Sequence, residues 1–408
     1  MFIPIAIAAL FILALSSNVA TSFGTNDPRT QRKWSKRLFK YALDNMWLTT
    51  KGFLGTGADA VIQVDKDLTK GPGDKIIFEL LYPLTEAGQG DDGTIKTNHE
   101  ALTIGNFTVE IHERGHSVSC AGKMSAKRTS TNLRETGKTA LGIWTGEQLE
   151  NDLIRALAGI YNVSGAIATV NEATPSANRR LIGGYTLAGT GSNVYGELAS
   201  VTTTLAEGAQ MSLQLLSLIR RKAMLATPKI RPVTVDGKPW YMVLLHPYQV
   251  KSLKNSTATN NWTHIQRDAN LRGEKNPLFT GAVGVWDGMI LHEYDRIPTC
   301  TGAGSSALAE GFAMHATHSS RTSDPAAEGV SFARALLLGA QAGVLGWGQE
   351  PQWHEEYLDM GNRKPAVGTD MLYGAAKTRF NQFTQPSTNT AQEDFGVFAI
   401  DTTIFDDS

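Results

Sequence analysis

His112-Glu113-Arg114-Gly115-His116 spells HERGH, the spacing of a zinc-protease motif. That chemistry requires a helix, which sets both histidines on one face within reach of one ion and leaves the glutamate as general base. Here the motif closes a period-two run, in which Phe107, Val109 and Ile111 alternate with Thr108, Glu110 and His112. In a strand, residues four apart lie ~13 Å from each other, too far to share a zinc whose bonds are ~2 Å long. Gly115 disfavours a helix as well, and no third ligand stands out. The expectation is two polar strand residues near a bend. A secreted zinc metallohydrolase built on HERGH and the apolar N-terminus is kept as the alternative function.

Other chemical signals are weaker. GTGADA at Gly55–Ala60 has the glycines of a dinucleotide loop but follows no strand and opens no convincing helix. Arg179-Arg180 reads as a solvated face sooner than as a phosphate site. The DFG at Asp394–Gly396 has none of the other elements of a kinase. His292, among apolar residues on a strand, reads as structural. Cys120 and Cys300, 180 positions apart, are too few for a disulfide scaffold and read as buried thiols. There is no GxSxG elbow, no phosphate-cradling loop and no internal repeat.

The 408 residues suffice for a large core and two or three sub-domains. With 41% apolar and 19% charged residues the chain is globular, not disordered. A net charge of −1, with no Lys/Arg run, excludes a dedicated nucleic-acid binder, so any DNA is met through a weak or averaged field. MFIPIAIAALFILALSSNVA opens the sequence with an apolar stretch short for a membrane span and without the basic start of a secretory signal. Three readings fit: a signal, an upstream start that the functional protein does not use, and a hydrophobic arm buried by partners.

The elements that must carry these residues follow from period and capping. Thr131–Asn162 holds the strongest helical stripe, with Leu149, Leu153, Ala156, Leu157, Ile160 and Tyr161 on one face. Thr145 and Gln148 have the form of a capping box, so the helix begins either there or at Thr131. Gly137, Gly142 and Gly146, each costing about 1 kcal/mol relative to Ala, weigh against the longer version. Within Ser22–Leu54, Leu38, Ala42 and Met46 recur at helical spacing. Lys75–Tyr82 and Phe107–His112 read as the arms of a long hairpin, whose tip at Ala87–Gly93 is polar and whose acidic end comprises Glu86, Asp91 and Asp92. A lone two-stranded ribbon is marginal in water, so it needs something to lie on, and a second copy of the chain is the natural candidate.

Val163–Ser200 reads as irregular with short strands. Thr204–Ala226 reads as a helix capped by Thr204 and Glu207 and stopped before Pro228. A VDGK turn, a buried strand at Trp240–Leu245 and an Asp287-Gly288 hairpin follow. Ser331–Gln349 mixes helix and strand character, Gly361–Met371 reads as irregular, and Phe395–Thr403 closes with a strand.

Three segments carry a family likeness: MSAKRTSTNLRETGKTAL at Met124–Leu141, LLHPYQVKSL at Leu244–Leu253, and NPLFTGAVGVWDGMILHEYDRIP at Asn276–Pro298. With TSFGTNDPRTQRKWSKRLF at Thr21–Phe39, they resemble the podovirus-type major capsid proteins of tailed bacteriophages. The resemblance implies an α+β fold of the Hong Kong 97 type. It places an N-terminal arm at 21–60 after the apolar 1–20, an extended loop at 61–122, and a peripheral domain with its spine helix at 123–230. An axial domain at 231–329 and a return to the peripheral domain at 330–408 complete it. It implies a structural subunit without cofactor, catalytic or metal residues, forming hexamers and pentamers of an icosahedral shell around double-stranded DNA. Scaffolding, portal and cement proteins are the further partners, and assembly in the host cytoplasm gives the virion. Glu86, Asp91 and Asp92 are then candidates for contact with a neighbouring subunit. A membrane-tethered surface or encapsulating shell protein is a third reading.

Overall fold

The computed structural model describes residues 38–44, 46–69, 73–81, 104–119, 123–128, 133–159, 170–171, 175–176, 179–182, 196–197, 210–226, 228–235, 237–255, 283–301, 315–317, 332–358, 364–381 and 392–404. Cys120 and the loop-tip residues Glu86, Asp91 and Asp92 lie outside them, as do Thr204 and Glu207.

The spine is one helix, Leu133–Ala158. Thr145 does not cap it. It sits mid-helix, buried, with its hydroxyl donating to the Leu141 carbonyl at 2.7 Å. The glycines that argued against the long version have a packing reason. A Cβ on Gly142 would lie 2.6 Å from the Tyr41 ring, and one on Gly146 would lie 2.7 Å from the Ala42 carbonyl oxygen. Residues 38–44 are helical and press against the spine there, with Leu38, Ala42 and Met46 all buried as their spacing predicts. Local propensity is overridden by close approach.

The spine packs on a six-stranded sheet that runs Leu54–Gly55, Ile62–Asp65, Gly343–Tyr357, Pro365–Lys377, His112–Ser119, with Val170–Asn171 beside the fourth of these. Gly361–Met371, expected to be irregular, contributes most of a 13-residue strand. Val367, Thr369, Met371 and Tyr373 are buried at alternate positions. Glycines in the other register hide that period, and at Gly374 a Cβ would meet the Glu110 carbonyl oxygen at 2.1 Å.

A ten-stranded sheet lies on the far side of the same core. Its middle is Met289–Glu293, Lys238–Leu245, Phe332–Leu338, Val397–Thr403 and Arg180–Ile182, in that order. Met242, Leu244, Leu336 and Leu338 face the spine core. Tyr241, Val243, Leu245, Leu337 and Phe398 face a second core beneath the helices Leu213–Leu225 and Pro247–Asn255. Burial on both faces explains why WYMVLL is apolar without alternation. This sheet takes strands from both sides of the 329/330 boundary. Segment 231–329 therefore does not close on itself.

The first of those helices starts later than the capping box suggested. Ser212 is its cap, accepting from the Leu215 amide at 3.2 Å. The Asp287-Gly288 hairpin forms as expected, with φ of 44° and 70° at its two turn residues. Among the described residues no helix is long and apolar enough to cross a membrane.

Candidate functional site: the two-stranded hairpin and the buried polar joints

Lys75–Leu81 pairs antiparallel with Ile104–Glu110 as a sheet of two strands, separate from both larger sheets. Alternation gives it two faces. Ile76, Phe78, Phe107 and Val109 turn inward onto Val344, Ala376, Phe380 and Phe395. The other face carries the Lys75–Glu110 ion pair at 2.9 Å, with Ile77 and Ile104 left 59% and 55% exposed. The Lys75 ammonium holds the Glu110 carboxyl below its ordinary value, first through the hydrogen bond and then through its charge. Both groups are at the surface, so the pair adds little stability.

HERGH occupies the continuation of this hairpin. His112–Ser119 is a strand, so the helix that a zinc site requires is missing. Residues 112–119 are the edge of the six-stranded sheet, paired with 366–373. His112, Arg114, His116 and Val118 share the face turned to the spine. Arg114 reaches Asp152 at 3.0 Å, His116 lies against Trp144 with ring centroids 4.8 Å apart, and Val118 packs near Leu141. Among the described residues no three metal-ligating side chains gather. HERGH is thus a packing sequence, and its arginine matters more than its histidines.

The other chemical candidates also become structural. Arg179-Arg180 is not a solvated face, because both side chains are buried. Arg180 Nε lies 2.6 Å from Asp401, and Arg334 grips the same carboxylate at 2.7 and 3.1 Å while donating to the Ala158 carbonyl at the end of the spine. Arg179 donates to the Pro228 carbonyl. A dipeptide cannot reveal that its two cations each find an acceptor distant in sequence.

The aspartate of DFG, Asp394, is buried with Lys377 Nζ at 2.8 Å and Arg379 Nε at 3.1 Å. Burial pulls the Lys377 ammonium down to about 8. His292 lies edge-on to Trp47 and Phe53, structural as its setting suggests. His246 accepts from the Tyr248 amide through Nδ1, and burial pushes its imidazole down to about 4, so it is neutral at physiological pH. GTGADA lies between parallel strands with no helix after it, unlike a phosphate loop. Nothing in this inventory prepares a reacting atom.

Comparison with known proteins gives the family. The phage capsid protein family matches residues 22–405. The major capsid protein of Pseudomonas phage KPP25 is 27% identical over 393 residues, spanning 92% of this chain and 95% of that one. The solved capsid of Ralstonia phage GP4 superposes with a TM-score of 0.69 at 27% identity, covering 95% of this chain and 99% of that one. The capsid of cyanophage Pam1 shares the fold, with a TM-score of 0.62 at 22% identity over 86% of this chain and 91% of that one. The fold described above is thus shared with solved phage capsids, and this chain belongs to the phage capsid protein family.

Proposed function

We propose that this chain is the major subunit of an icosahedral phage head of the Hong Kong 97 type, which closes around double-stranded DNA. Rings of five and six subunits require one surface to make similar heterologous contacts repeatedly. The observation that carries this reading is the hairpin 75–81/104–110, a separate two-stranded sheet with Ile77 and Ile104 exposed on its outer face. Such a ribbon gains stability when a neighbouring copy covers it. The arm at 21–60 and the loop at 61–122 engage neighbours, so modest contacts sum as in multivalent binding. Glu86, Asp91 and Asp92 meet basic residues of the adjacent subunit.

The second sheet, with its strands 332–338 and 397–403, forms the axial unit. The spine and the six-stranded sheet form the peripheral one. Assembly takes place in the host cytoplasm, with scaffolding, portal and cement proteins as further partners, and the subunit performs no catalysis.

Electron microscopy of purified protein tests the reading through closed shells or rings of defined size. Deleting Ala87–Gly93 is expected to leave the subunit folded and to abolish those particles, with a triple charge reversal at Glu86, Asp91 and Asp92 giving a milder assembly defect. A deletion variant that loses its soluble subunit, or one that closes normal heads, contradicts the proposal.

A further inference from the structure

Three segments distant in sequence meet at one carboxylate. Glu150 lies on the spine and is buried. One of its oxygens accepts from the Leu48 amide at 3.1 Å, across 102 residues. The helix Trp47–Thr50 receives no side-chain cap from its own N-cap residue, Met46, so Glu150 caps it from another element. From the turn after strand 289–293, Arg296 forks onto the same stretch of spine. It donates to Asn151 at 3.0 Å and Glu147 at 3.1 Å, with its Nε 4.0 Å from Glu150. Trp47 lies against Tyr294 with centroids 4.7 Å apart and planes tilted by 35°, and stands edge-on to His292 at 5.5 Å, so the leading segment bridges to the second sheet as well. The rest of this joint is apolar, with Met46, Leu48, Phe53, Leu149, Leu153, Tyr294 and Ile297 in one core. Its polar centre is this carboxylate.

We infer that Glu150 is a proton-responsive clasp that fastens the leading segment, residues 46–53, to the spine helix and to the turn that follows strand 289–293 of the second sheet. This rests on the subunit's own contacts and does not depend on how copies assemble. The groups facing Glu150 set its response. Arg296 and Tyr294, with Asp295 beside them, come from the turn after strand 289–293. Glu147 lies on its own helix, and the leading segment brings the Trp47 and Leu48 amides. Burial raises the Glu150 carboxyl above its ordinary value of 4.5, against the lowering effect of the Leu48 amide and the Arg296 charge. Burial first, and the nearby carboxylate next, push the Tyr294 phenol up.

The sign follows from linkage. The closed joint holds its proton more tightly than an opened one, so closure is favoured at low pH. That advantage fades as pH rises from 4.5 through the raised value, and is gone above it. One proton is involved, so the opening constant changes by at most about tenfold per pH unit. The clasp is thus tight in acid and looser toward neutrality. It governs how firmly the leading segment is held.

Hydrogen exchange on the full-length subunit, corrected for the chemical rate, reads this directly at the Trp47 and Leu48 amides. In the wild type their protection is expected to fall several-fold between pH 4.5 and 7.5. Glu150→Gln keeps an acceptor for Leu48 and cannot titrate, so its protection stays level across the range. Arg296→Gln removes the cation that favours the charged form, so it carries the change to higher pH. Wild-type protection independent of pH overturns the proposal. So does a Glu150→Gln protein that keeps the wild-type slope, since a merely structural carboxylate would shift the level and leave the slope intact.

Discussion

Asp401→Ala is expected to cost about 3–5 kcal/mol of folding stability, the range for breaking a buried ion pair from one side. Asp401 is buried and holds two arginines, Arg180 at 2.6 Å and Arg334 at 2.7 Å, which are themselves out of solvent. Removing the carboxylate leaves two guanidinium charges facing each other in a low-dielectric interior, where like charges repel strongly and water is absent. The damage spreads because Arg334 also holds the Ala158 carbonyl at the end of the spine. Urea unfolding of the soluble subunit measures it as a lower midpoint with an unchanged slope. Asp401→Asn, which keeps two acceptor lone pairs and loses the charge, falls between. A loss below about 1 kcal/mol for the alanine variant, the size expected of an exposed pair, would mean that the arginines find other partners or water.

Asp152→Ala is expected to cost a similar 3–5 kcal/mol, with its effect on the edge strand. Asp152 lies on the spine, buried, and accepts from the Tyr373 hydroxyl on one strand and from Gln148 at 3.1 Å on its own helix. Arg114, on the edge strand, reaches it at 3.0 Å. It therefore joins a helix to two strands of the six-stranded sheet. With it gone, a buried Arg114 has reason to leave, and the strand His112–Ser119 leaves with it. Exchange protection at residues 113–118 should drop further than at the second sheet's Val243 or Leu337. A uniform loss across both sheets would show that Asp152 supports the whole core and not that strand in particular.

Much of the fold is legible where one period governs a segment. The arm Ile104–Glu110 alternates cleanly, and its inward residues Phe107 and Val109 are the ones that burial selects. The spine's stripe predicts its packing face, although its start was ambiguous because glycine's cost is local while its benefit, contact with Tyr41 and Ala42, is not. The same blindness hid strand Pro365–Lys377, whose glycines admit neighbouring backbones. Helix Pro247–Asn255 was missed because only Gln249, Val250 and Leu253 of its nine residues are buried. The polar joints were not legible at all. Arg179-Arg180, Asp394 and Asp401 look ordinary in sequence, and each acquires meaning from partners that only the fold brings near. The strand conformation of HERGH, by contrast, could be argued from its period alone.

Ile104–Glu110 and His112–Ser119 are parted by Ile111 alone, so hairpin and body share a nearly continuous extended chain. The ladder of eight register pairs between 112–119 and 366–373 runs along that direction, with its hydrogen bonds perpendicular to it. A pull on the hairpin therefore loads those hydrogen bonds in shear, all at once, instead of unzipping them singly. Whatever grips the hairpin also grips the spine's own sheet, through one stretch of extended chain.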